Sequence, residues 1–362
     1  MSVKKTAALC LALCLCILFG CSSNGKDISD EVIIDISDSI VNGYFPDEGE
    51  VILSKNTNEI IFSTEIGVFK ADINSGKVSK LFDHIKTVYD GEKVLWREPA
   101  KLLDFNGGYA VVTESEIFYY NDSNVLISHV PFDKNSYGAF AISPDGKTLA
   151  YGKGNDLCIS DINLQNGKTL LKGNVPSDGN EMSETAYGAQ RFSADGKGVW
   201  CNYAGYEWLL NVFYVDLNGN ILLDTDAGTA TNENYEYLFS DGNTQYLLKG
   251  DDPIYANRIP LEIVTYTPGD TALSSRFTIE MEDSPFLSRC FSEKTKYMYF
   301  YQAVDSKETA IYKTGLSAFA PEEIYRTKQN EYINTMYVFD DFICLVVRNP
   351  SIDKWHLKIL KL

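Results

Sequence analysis

One two-strand unit recurs along this chain and limits what it can fold into more than any other feature. The clearest copy is Ala141-Ile142-Ser143-Pro144-Asp145-Gly146-Lys147-Thr148-Leu149-Ala150-Tyr151. A second, Arg191-Phe192-Ser193-Ala194-Asp195-Gly196-Lys197, runs into Val199-Trp200-Cys201. A third is Leu238-Phe239-Ser240-Asp241-Gly242-Asn243 followed by Tyr246-Leu247-Leu248, and a more worn fourth starts at Cys290-Phe291-Ser292 and resumes at Tyr297. Each copy has an apolar strand, a Ser-led turn and a second apolar strand. Asp-Gly supplies the positive-φ residue that a tight hairpin requires. The spacing of roughly 40 to 50 residues is that of propeller blades.

A second element follows the better copies. Ile159 to Asn163 leads through Gly167 to Leu170-Leu171, Tyr214 to Asn220 leads to Ile221-Leu222-Leu223, and Val68 to Lys77 leads to Val78 and Leu81. These are third and fourth strands joined by Asn/Gly turns, so each repeat is a four-stranded antiparallel unit, one blade. Worn units occupy residues 49–82 and 100–130. The last unit, residues 333–362, offers only Met336–Phe339, Phe342–Arg348 and Trp355–Leu360. The otherwise spare run Glu31-Val32-Ile33-Ile34-Asp35-Ile36 fits as its missing fourth strand. The expected fold is therefore all-β: a β-propeller of about seven four-stranded blades over residues 31–362, its ring closed by an N-terminal strand. Closure removes the terminal edges that an open array would expose.

The Ser-Pro-Asp-Gly-Lys-x-Leu-Ala-Tyr stretch resembles the repeats of TolB-like and dipeptidyl-peptidase-type (WD-like) propellers. The likeness is strong over residues 139–277 and fades outside them. In peptidases of that kind a serine-hydrolase domain accompanies the propeller. Here the chain ends with its last blade, so the resemblance implies no hydrolase domain and carries over no catalytic residue.

The N-terminus has a different logic. Lys4 and Lys5 precede an unbroken apolar run from Ala7 to Phe19, too short to span a membrane and suited to a signal peptide. Leu18-Phe19-Gly20-Cys21 resembles the bacterial lipobox, although Phe19 stands where a small residue is usual. The resemblance implies cleavage before Cys21 and lipidation of its thiol, with residues 1–20 as signal peptide and 21–30 as a flexible tether. The protein is then a lipoprotein held at the extracytoplasmic face of the cell membrane, because two acyl chains suffice for stable anchoring. An ordinary signal peptide with a coincidental cysteine is the competing reading, since Cys10, Cys14 and Cys16 share the run.

Charge narrows the partners. Without Lys4 and Lys5, 30 basic residues face 50 acidic ones. Such a chain repels phosphate backbones, which argues against nucleic acid. Cys158, Cys201, Cys290 and Cys344 sit in apolar or aromatic runs, with neither Cys-x-x-Cys spacing nor a neighbouring histidine. They read as small buried hydrophobes.

Motifs for chemistry are sparse. There is no Gly-x-Ser-x-Gly, His-Glu-x-x-His or Gly-x-Gly-x-x-Gly signature, and His84, His129 and His356 lie in separate units. Asp216-Leu217-Asn218-Gly219-Asn220 and Asp224-Thr225-Asp226 hint only faintly at calcium loops, because turns use the same residues. The expectation is no catalytic residue, no metal and no cofactor.

Long connections say more. Asp83–Pro99, Gly173–Gly188, Gly250–Pro260 and Asn349–Lys354 lie on the face opposite the short turns, and function favours long loops on a rigid scaffold. Those connections, and others on the same face, carry Trp96, Arg97, Tyr203, Tyr206, Trp208, Tyr255 and Arg258, with Arg348 and Trp355 at the last loop's edges, the residue types that recognition surfaces favour. With 23 Tyr and 19 Phe in the chain, many aromatics pack between blades instead, Trp200 among them. The leading expectation is a non-catalytic binding or scaffolding module for an envelope protein, a peptide or a glycan. The alternative is a propeller enzyme, a lactonase, lyase or hydrolase using central-channel carboxylates and a divalent ion. The first strands Ala139–Ile142, Gln190–Phe192 and Tyr237–Phe239 read as chemically bland, which weighs against it.

Overall fold

The repeat units pair as seven four-stranded antiparallel sheets, each blade's strands hydrogen-bonded in chain order except in the last. The computed structural model describes residues 31–40, 51–83, 88–90, 93–96, 99–133, 137–174, 186–204, 211–225, 233–251, 261–270, 272–279, 289–292, 294–304 and 308–362. Cys21, the signal segment and the tether lie outside them. Blades 1 to 6 begin with the strands Val51–Ser54, Lys101–Phe105, Tyr137–Ile142, Ala186–Phe192, Glu233–Asp241 and Arg289–Ser292. Blade 7 combines Tyr332–Val338, Phe342–Asn349 and Lys354–Lys361 with Glu31–Asp35, which pairs antiparallel to the last strand with Glu31 opposite Leu360 and Asp35 opposite His356.

Why the blades form a ring is visible in the burial pattern. Strands deep in a blade are apolar at consecutive positions, as in Gly108–Val112 and Phe342–Val347, because both faces of each sheet are covered. Alternate side chains then serve different seams. Val111 packs toward Ile61 and Val68 of blade 1, whereas Ala110 and Val112 pack toward Phe140 and Leu149 of blade 3. The core is divided into seven such seams, each built from two successive blades. The seventh joins the last blade to the first through Ile34, Ile36, Phe342, Trp355 and Leu357 on one side and Val51, Ile60 and Phe62 on the other. The seam between blades 4 and 5 centres on Trp200. This side chain is fully buried, stacks on Tyr214 and Tyr237 at 4.9 and 4.8 Å, and donates its indole N–H to Gln245 Oε1 at 3.2 Å.

Turn chemistry sets the register. In blade 3 the Ser143 hydroxyl accepts from the Thr148 N–H at 2.9 Å and donates to Asp145 Oδ1 at 2.7 Å, while Gly146 takes φ +69°. Blade 4 repeats the arrangement with Ser193, Asp195 and Gly196, again at φ +69°. At the third-to-fourth-strand turns Asp161 and Asp216 accept backbone N–H groups from their own loops, a side-chain mimic of a backbone turn.

Two connections differ from the sequence reading. Residues Val88–Asp90 and Lys93–Trp96 form a two-stranded antiparallel ribbon between blades 1 and 2, inside what reads as a plain loop. The Asn349–Lys354 connection is a tight turn closed by Ser351 N–H donating to Asn349 Oδ1 at 3.1 Å, and not an extended loop. Cys158, Cys201 and Cys344 are free thiols and buried, as their apolar surroundings imply.

Candidate functional site: the central channel

First strands of all seven blades surround a central cavity of about 480 Å³. Its polar lining comes from one contiguous arc. Lys55 follows directly on the first strand of blade 1, Lys101 and Asp104 lie on that of blade 2, and Gln190 and Arg191 lie on that of blade 4. Blade 3, between them, contributes only Ala141 and Ile142, which leaves room. The remaining arc is apolar apart from a half-buried Cys290: Leu238 and Phe239 from blade 5, Phe291 from blade 6, and Tyr337, Val338 and Phe339 from blade 7. Phe239 and Phe291 stack face to face at 4.3 Å.

Three cations therefore face one carboxylate in the channel of a chain whose net charge is −18. Lys101 Nζ is held in place by the Phe140 carbonyl at 3.1 Å. Among the described residues, none of the three cations forms an ion pair. At other first-to-second-strand turns the lysines are paired, Lys296 with Asp241 at 2.5 Å and Lys294 with Asp341 among them. The Asp104 carboxyl touches channel solvent but is ringed by protein. That desolvation raises its pKa in spite of the lowering pull of Lys55 and Arg191, and Asp122 adds to the rise. Arg191 belongs to blade 4 and Asp104 to blade 2, so their coupling runs across the lumen. Gln190 Oε1 is buried and has no hydrogen-bond partner among the described residues.

Of the long-loop residues singled out from sequence, Arg348 and Trp355 fall elsewhere. Arg348 and Trp355 sit opposite each other in adjacent strands of blade 7, the guanidinium 5.4 Å from the indole ring. Trp355 is only 3% exposed and belongs to the seam with blade 1, while Arg348 stays partly exposed with Nη2 3.9 Å from Asp353. Trp96 ends the ribbon strand and Tyr203 pairs with Tyr187 and Asn211 in blade 4. Arg97, Tyr206, Trp208, Tyr255 and Arg258 lie outside the described residues. Neither Arg348 nor Trp355 lines the channel.

Conversely, Lys55, Lys101, Asp104, Gln190 and Arg191 escaped the sequence reading, which took the first strands as bland. The usable signal was a charged or amide residue at the innermost strand of a blade. It was obscured because blades 1 and 2 are worn copies, and because adjacency around a channel is a property of the ring. At the first of the two turns that hint at calcium, Asp216 accepts from Asn218 N–H, Asn220 N–H and Asn220 Nδ2, all within its own turn; Asp226 of the second lies outside the described residues. Among the described residues no three acidic, His or Cys side chains are grouped to hold a metal ion.

This geometry defines a seven-bladed β-propeller with an amphipathic channel. No family model and no curated protein matches the sequence. Solved structures match its fold. An oligogalacturonate lyase from Vibrio parahaemolyticus is similar at a TM-score of 0.58 and 9% identity, over 91% of this chain and 96% of that one. A β-propeller domain from Myceliophteria thermophila is similar at 0.53 and 12%, over 87% and 97%. A prolyl endopeptidase is similar at 0.53 and 11%, over 84% of this chain but 49% of its own. At such identities the likeness concerns the fold alone.

Proposed function

We propose that this protein is a non-catalytic binding module, tethered to the extracytoplasmic face of a membrane through Cys21, that captures a protein, peptide or glycan ligand on its propeller. The observation that carries the reading is the channel lining. Among the described lining residues, three cations and one amide surround a single carboxylate, a set suited to holding an acidic group and short of the paired carboxylates that acid–base hydrolysis or a divalent ion would use. Similar propellers occur in enzymes and in non-catalytic assemblies, so the fold leaves function to the site.

Two experiments test the halves separately. Metabolic labelling with an alkyne fatty acid should mark the wild type and not Cys21→Ser, which should also be released from the membrane fraction. Immobilised protein should recover a reproducible envelope partner, and Lys55→Gln/Arg191→Gln or Trp208→Ala should change what is recovered. Identical recovery by all forms would remove both the channel and the loop face as binding surfaces.

The enzyme reading keeps one supporting observation, the raised pKa of Asp104, which suits a general acid. It predicts a rise of several degrees in Tm with one divalent ion, abolished in Asp104→Asn. The binding-module reading predicts none.

A further inference from the structure

The polarity of the channel is divided by arc, and the division has a chemical meaning. Charged and amide groups come from blades 1, 2 and 4, whereas blades 5 to 7 face them with Leu238, Phe291 and Phe339. A free inorganic anion would use only the first arc, and a neutral apolar molecule only the second. The cavity, at about 480 Å³, holds a small organic molecule that uses both.

We propose that the channel is a binding site for an amphipathic organic anion, whose carboxylate or phosphate group meets Lys55, Lys101 and Arg191 while its apolar body lies against Leu238, Phe291 and Phe339. Four observations converge on it. The three cations form no ion pair among the described residues, although lysines at neighbouring turns do. They gather in the lumen of a strongly acidic chain, where low-dielectric walls focus their field. Gln190 presents a buried amide oxygen that lacks a hydrogen-bond partner among the described residues, and rotation of the amide can turn either its donor or its acceptor to a ligand. Phe291, stacked on Phe239, offers a rigid aromatic wall facing the charged arc. The proposal rests on the reading of the propeller as a non-catalytic binder and names the chemistry it would bind.

Calorimetric titration of the purified protein with phenylpropionate, phenyl phosphate, neutral phenylpropanol and inorganic phosphate tests it. One of the two aromatic anions should bind at least about tenfold more tightly than either the alcohol or inorganic phosphate, and which one binds identifies carboxylate or phosphate as the preferred group. Arg191→Gln and Lys55→Gln should each weaken it about tenfold, Arg191→Lys should recover part of the loss, and Phe291→Ala should weaken it too. Lys147→Gln, on an exposed turn, should change nothing, and circular dichroism should be the same for all forms. Equal binding of the alcohol, no binding of either anion, or unchanged binding by Lys55→Gln/Arg191→Gln overturns the site. NMR of the recovered ligand separates the two claims. A bound anion returned chemically altered keeps the site and ends the non-catalytic reading. An envelope partner captured without any anion binding keeps that reading and ends the site.

Discussion

Lys358 Nζ lies 2.7 Å from Glu331 Oε2, with the lysine side chain completely buried. The same ammonium is 3.1 Å from Glu31 Oε1 on the N-terminal strand and 3.4 Å from the Tyr325 hydroxyl of blade 6. One cation thus ties the closing strand, the last strand and the neighbouring blade. Ile34 and Ile36 add apolar burial on the other face of the blade, at the seam with blade 1, and Lys354 pairs with Asp35 at 2.9 Å on the exposed side. Ring closure is therefore held by ionic as well as apolar contacts.

Removing one partner should cost more than removing the pair. Lys358→Met strands two carboxylates and should destabilise the fold by about 3–5 kcal/mol, whereas Lys358→Met with Glu331→Gln should recover a substantial part of that loss. Chemical denaturation of both variants measures the difference.

Acid should act on the closing strand through Asp35. Its partial burial favours the neutral acid, but the Ser37 hydroxyl and N–H together with Lys354 outweigh that and hold its carboxyl well below the usual carboxylate range. A depressed folded-state pKa means the contribution is full above the unfolded value of about 3.9 and is lost as pH falls toward the folded value. The Tm of wild type should exceed that of Asp35→Asn at pH 6, and the two curves should converge as pH falls below about 4. At the alkaline end, Glu331 and Glu31 outweigh desolvation and hold Lys358 above its ordinary value, so its contribution is full below about 10.5 and fades only beyond that.

Glycine substitutions should divide by local space. A Cβ on Gly108 would lie 2.1 Å from the Tyr120 carbonyl oxygen, so Gly108→Ala should cost about 1–3 kcal/mol. Among the described residues nothing lies within 4 Å of a Cβ on Gly138, and Gly138→Ala should be neutral or slightly stabilising. Urea midpoints of the two variants give the contrast.

Thiol chemistry should follow burial. Desolvation pushes the Cys201 thiol up to about 12 and raises Cys158 and Cys344 as well. All three should resist iodoacetamide at pH 8 in the folded protein and react on unfolding, as mass mapping would show. Modification of Cys201 or Cys344 in the native state would contradict the packing described.

The blades were legible in sequence because hairpin chemistry is local. Ser143, Asp145 and Gly146 set their turn within a few residues, and Glu31–Ile36 announced itself as an apolar run without a partner. The site was less legible. Lys55, Lys101, Asp104 and Arg191 are scattered over more than a hundred residues, and only closure of the ring brings them to one lumen. Trp355 misled for the opposite reason: beside a turn it resembles a rim aromatic, yet it is buried against blade 1.

Hydrogen exchange read by mass spectrometry tests the closing strand directly. Ile36 N–H donates to the Trp355 carbonyl at 3.0 Å, and residues 31–35 pair in register with 356–360. The amides of 32–36 should exchange as slowly as those of 355–360 and lose protection together with them in denaturant. Rapid exchange across 32–36 while 355–360 stays protected would mean the ring is closed some other way.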